Sequence, residues 1–155
     1  MGGPKKTADV MKEVQPSAYM QQFRGGFKSA MRWHHLDALW ATLRAAPEGW
    51  FVYHVGDQVP QQPLSAGQFE AFLSEIDELL RREHDEDYCG IVYADSLDAP
   101  GMVKIYDPNN LGVSCGFSDN PPLPGWVLSR IAPQELQSNA PLTGSRRRWW
   151  KRLFG

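Results

Sequence analysis

The chain is poor in cysteine, in long apolar runs and in compact catalytic signatures, and each shortage removes a class of protein. Two cysteines in 155 residues are too few for a disulfide-built miniprotein or an all-thiolate structural zinc site. No stretch approaches the ~20 apolar residues of a membrane-crossing helix. Walker A, dinucleotide, kinase, nucleophile-elbow and HExxH patterns are absent. The opening MGGPKKTADV shows neither the apolar core nor the cleavage site of a secretory signal. Lys6 stands where a myristoylation pattern requires Ser or Thr. The expectation is a cytoplasmic protein with reduced Cys89 and Cys115, and with no metal or cofactor.

What is present suits one ordinary folded domain. Apolar residues make up 42% of the sequence and 18 side chains are aromatic, ample for a single core. The net charge of −2 conceals three segments of different sign. Residues 1–32 carry a net +4 and residues 145–155 a net +5, with no acid in the latter. Between them, five basic residues face 16 acidic ones, a net −11. An acidic body with basic ends points to a partner surface, although pairing of the ends with that body is also open.

Periodicity divides the chain further. A short helical stretch falls near residues 19–23, before Gly25 and Gly26. Leu36, Leu39, Trp40 and Leu43 recur at helical spacing, which predicts a helix over 34–46 stopped by Pro47 and Gly49. The run 50–55 (WFVYHV) reads as a buried strand. Ser65 with Gln68 forms a capping box ahead of a helix over 66–84, whose Phe69, Phe72, Leu73, Ile76, Leu79 and Leu80 share one face. That face is worth about 10 kcal/mol if fully buried, before entropy is subtracted. The period then changes from 3.6 to 2. Runs 88–94, 102–106, 112–117 and 126–131 are strand candidates separated by short turns, which implies antiparallel neighbours. The expected fold is α+β: a mostly antiparallel sheet of about five strands with two main helices on one face. The expected division is a flexible basic segment over 1–30, one domain over 31–132, a linker over 133–145 and a tail over 146–155.

That tail, RRRWWKRLFG, is the most unusual local feature. Arg146, Arg147, Arg148, Lys151 and Arg152 surround Trp149, Trp150, Leu153 and Phe154. On a helix, Trp149, Trp150 and Leu153 share a face, with Arg148 and Arg152 nearer the other. Tryptophan settles at bilayer headgroups and each cation adds ~1 kcal/mol at an anionic surface, so a reversible contact of ~5 kcal/mol or more is expected. The same composition suits a groove on a protein partner or single-stranded nucleic acid. It also suits folding back onto the acidic body.

Other features carry weaker chemistry. His54, Cys89 and Cys115 form an alternative thiol and imidazole site, which needs a Cys115–His54 dyad. His34 and His35 are adjacent, so on a helix their side chains diverge and do not chelate one metal together. The run His84-Asp85-Glu86-Asp87 lacks the pattern of a calcium loop and reads as a solvated connection. The proline-rich stretch 120–124 reads as a stiff turn beside a sheet edge. The function expected is therefore that of a non-catalytic accessory or adaptor protein. Its acidic domain binds a protein partner, and its Trp-rich tail attaches to a second partner or to the inner face of a membrane. A small thiol- or His-dependent enzyme or metal-handling protein is the first alternative. A nucleic-acid-binding protein using the basic termini is the second. The oligomeric state is not legible.

Overall fold

A computed structural model describes residues 16–111, 122–136 and 142–154. The elements in chain order are α1 (Ala18–Phe23), β1 (Lys28–Ser29), α2 (Trp33–Ala45), β2 (Phe51–His54), α3 (Ala66–Glu83), β3 (Val92–Ala94), β4 (Met102–Ile105), β5 (Trp126–Ser129) and α4 (Gly144–Phe154), with a 3-10 turn at Pro108–Asn110. The five strands form one antiparallel sheet in the order β1-β3-β4-β5-β2. The fold is α+β.

The helix lengths fit the strand order. β1 and β2 lie on opposite edges, four strand spacings or about 19 Å apart. The 13 residues of α2 span about 20 Å, enough to carry the chain across the sheet face. α3 carries it back to β3, and the meander β3-β4-β5 fills the space between.

Alternation sorts side chains onto two faces. The cross-strand row His54, Trp126, Ile105, Val92 and Ala30 points to the helical face. There it meets Leu36, Leu39, Trp40 and Leu43 of α2 and all six apolar residues expected for α3. The opposite face, bearing Tyr53, Val127 and Met102, is covered by Tyr19 of α1 and by Leu136. Leu136 is tied down by its amide, which donates to the Tyr53 hydroxyl at 3.0 Å. On that face Lys104 stands 4.0 and 3.9 Å from the Phe23 and Phe27 ring centres, and its ammonium donates to the Phe23 carbonyl at the end of α1. Burial pushes its pKa down.

Several boundaries differ from expectation. The expected strand 112–117 lies outside the described residues. The fifth strand is β1, two residues long and so too short to show an alternating pattern. α1 and β1 belong to the folded unit although residues 1–30 were expected to be flexible, and Leu136 of the expected linker is 6% exposed. The helical face carries α4 as a third helix beside α2 and α3.

The capping box is present: the Gln68 amide donates to Ser65 Oγ at 3.1 Å and the Ser65 amide donates to Gln68 Oε1 at 3.0 Å. Ser65→Ala is expected to lower stability by about 1 kcal/mol, read as a lower urea midpoint with unchanged slope.

Candidate functional site: the docked cationic helix

The expected free tail is instead a helix seated on the body. Arg146, Trp149, Trp150 and Leu153 fall at i, i+3, i+4 and i+7, the same spacing that buries α2. Trp149 is 5% exposed and meets Trp126 and Phe72 edge-on, at ring-centre distances of 5.6 and 6.4 Å. Trp150 is half-buried, 6.2 Å from Phe72 and 5.0 Å from His54, with Phe154 against its other side at 4.6 Å. Of the tryptophans expected to insert elsewhere, Trp149 thus lies in its own protein's core and Trp150 packs, partly buried, against it. The physical reason is the sheet row beneath, where Trp126 and His54 present an aromatic floor.

Arg146 occupies the buried stripe because two carboxylates meet it. Its guanidinium donates to Glu83 at 2.6 and 3.1 Å and to Asp107 at 2.8 and 2.9 Å. Burial alone works against its charge, but the hydrogen bonds and charges of Asp107 and Glu83 prevail and raise its pKa. This clamp joins α4 to the end of α3 and to the turn after β4. Thr143 Oγ1 accepts the Arg146 amide at 3.2 Å, and Leu142 packs against Gly56, whose positive φ of 100° favours glycine and where a Cβ would crowd Leu142 at 3.1 Å. A cavity of about 100 Å³ beside the clamp is lined in part by Val55, Asp107, Gly125, Thr143 and Arg146.

The outer face of α4 is uniformly basic. Arg147, Arg148, Lys151 and Arg152 are all exposed and span about 140° of the helix circumference. None of the four makes an ion pair among the described residues. The contrast with α2 and α3 is sharp: Arg44 pairs with Glu70, Arg81 with Asp37 and Asp77, and Arg82 with Glu78 and Glu83. Trp150, Lys151 and Phe154 also border a groove of about 590 Å³ whose far wall is residues 57–61.

His54 lies beneath this helix. It is 1% exposed, stacked on Trp126 at 5.3 Å and 10°, and neither ring nitrogen has a hydrogen-bond partner among the described residues. Burial lowers its pKa to about 4, against the opposing pull of Asp57 and Asp107; Arg146 and Arg147 add to the lowering. The imidazole is therefore neutral at neutral pH.

The alternative thiol site is not assembled from the residues described. Cys89 is fully buried beside β1, its amide donating to the Met31 carbonyl, and burial raises its pKa. His54 is on the opposite edge strand, at least three strand spacings or about 14 Å away. Cys115 lies outside the described residues. His35 accepts the Arg32 amide at the start of α2, His34 is exposed, and His84 Nε2 contacts the Cys89 carbonyl at 2.9 Å. Among the described residues no helix is long and apolar enough to cross a membrane.

Sequence reasoning missed Glu83 and Asp107 as partners of Arg146. The available signal was an arginine on the apolar stripe of a helix, a position that requires a buried carboxylate.

Two outcomes follow from this geometry. Arg146→Met leaves Glu83 and Asp107 facing one another without their cation, and is expected to cost about 3 kcal/mol in chemical denaturation. A depressed native pKa at His54 means the unfolded chain binds more protons. Its contribution is complete above pH 6.5 and is lost as pH falls towards 4, at up to about 1.4 kcal/mol per pH unit. His54→Leu is expected to flatten that part of the stability–pH curve.

Comparison with protein-family models, with curated proteins and with solved structures finds no match.

Proposed function

We propose that this protein is a non-catalytic accessory or adaptor protein whose α4 helix presents a cationic face to an anionic membrane surface, while its acidic body engages a protein partner. The observation that carries the reading is the set of four exposed cations on α4 that no carboxylate among the described residues neutralises. Arg44 of α2 and Arg81 and Arg82 of α3 are held in ion pairs, whereas these four cations lie together on one helix face with their charge open to a partner. Exposed Glu48, Asp85, Glu86, Asp87 and Asp98, in no ion pair among the described residues, give the body its negative surface.

Magnitude shapes the mechanism. Four cations at ~1 kcal/mol each supply ~4 kcal/mol, equivalent to a dissociation constant near 1 mM. Such a contact is reversible and too weak to localise a protein alone, which fits an adaptor that needs two simultaneous contacts. With the tryptophans seated inside, adhesion at neutral pH is electrostatic. The reading places the protein at the cytoplasmic face of a membrane, where anionic lipid is concentrated.

Sedimentation with phosphatidylglycerol vesicles tests this. The full chain is expected to bind at low salt and to release as salt rises. Replacing Arg147, Arg148, Lys151 and Arg152 by Gln is expected to abolish binding while leaving the melting temperature nearly unchanged. Unaltered vesicle binding by that variant, or salt-sensitive binding to single-stranded nucleic acid but not to vesicles, overturns the membrane reading.

A further inference from the structure

Two buried ring nitrogens of His54 without a hydrogen-bond partner among the described residues are costly, and their place in the fold is specific. His54 packs against two indoles, stacked on Trp126 of β5 and tilted by 51° to Trp150 of α4 at 5.0 Å. The charged and titratable groups around it are Asp57 after β2, Asp107 after β4, and Arg146 and Arg147 of α4. Of the elements enclosing it, β2 is held along its whole length by β5 through four paired positions. α4 is instead a separate helix, held by ring contacts and by the Arg146 clamp. A groove flanks its Trp150 and Phe154 side, and a cavity reaches its clamp. When His54 must be hydrated, the cover that can lift is α4.

We infer that α4 is a releasable anchor: protonation of His54 beneath it frees the helix from the sheet, and its Trp149, Trp150, Leu153 and Phe154 face then enters the anionic membrane that its cationic face already contacts. This rests on the surface reading above and adds its regulation. A proton on His54 places a cation among buried aromatic rings beside Arg146 and Arg147, and the carboxylates of Asp57 and Asp107 compensate only in part. Lifting α4 hydrates the imidazolium. It also exposes an amphipathic helix with aromatic and aliphatic groups on one side and four cations on the other, the composition that lies in a bilayer interface. At neutral pH the same helix is closed against the sheet and adheres through charge alone. Contact thus changes from salt-reversible to salt-resistant as the medium acidifies.

The test uses the full chain in two arms. Without lipid, amide exchange is followed at pH 7.5 and pH 4.5, corrected for the intrinsic pH dependence. α4 amides are expected to lose at least about tenfold of their protection at pH 4.5 while β4 and β5 stay protected. Loss of protection by α4 and the sheet together overturns the latch, as does an unchanged α4. With phosphatidylglycerol vesicles carrying brominated acyl chains, tryptophan quenching and salt-resistant binding are expected at pH 4.5 and not at pH 7.5. His54→Leu is expected to keep salt-reversible binding at pH 7.5 and to lose the acid step in both arms; retention of that step overturns the role of His54. If the lipid-free step is present but vesicles bind at neither pH, the surface reading fails while the opening of α4 stands.

Discussion

The seating of α4 on the sheet row formed by His54 and Trp126 is the constraint on which the rest of the arrangement turns. Trp149 closes the end of the core left uncovered by α2 and α3, so the apolar half of the helix is committed inward. Helical periodicity then places Arg147, Arg148, Lys151 and Arg152 outward. Arg146 falls on the apolar stripe itself and is held inside by Glu83 and Asp107. A buried clamp of this kind contributes more to fixing position than to net stability, since desolvation offsets much of its attraction. It sets which rotation of α4 is docked, and hence which residues face solvent.

The sheet order explains why Cys89 and His54 do not come together. The connection through α2 runs from one edge strand to the other, so β1 and β2 lie at opposite ends, with Cys89 near one and His54 near the other. Both are buried in apolar surroundings that favour their neutral forms. For Cys89 that environment suppresses the thiolate. For His54 it produces a group sensitive to protons because the charged form has nowhere to go.

Much of this was legible in the sequence. The α+β class, the capping box at Ser65, the apolar stripes of α2 and α3 and the strands β2 to β5 all follow from spacing and turn residues. β1 was not legible, because two residues carry no period. The tail was misjudged for an instructive reason: five cations in ten residues outweighed the i, i+3, i+4, i+7 stripe that the same residues contain. Composition suggested a solvated segment, whereas periodicity, read through Arg146, describes a docked helix. Its partners Glu83 and Asp107 were hidden, being 63 and 39 positions away in the chain. That the outer cations make no ion pair among the described residues needed coordinates too, since the acidic body offers many carboxylates and only geometry shows which are already engaged.

Hydrogen exchange at the Trp149 and Trp150 backbone amides of the full-length protein, at neutral pH without lipid, reads the docking most directly. Protection comparable to that of α3 is the result expected. Exchange at the rate of an unstructured peptide at those two amides would contradict the account, because the inward tryptophans, the outward cations and the covered imidazole all depend on that helix being in place.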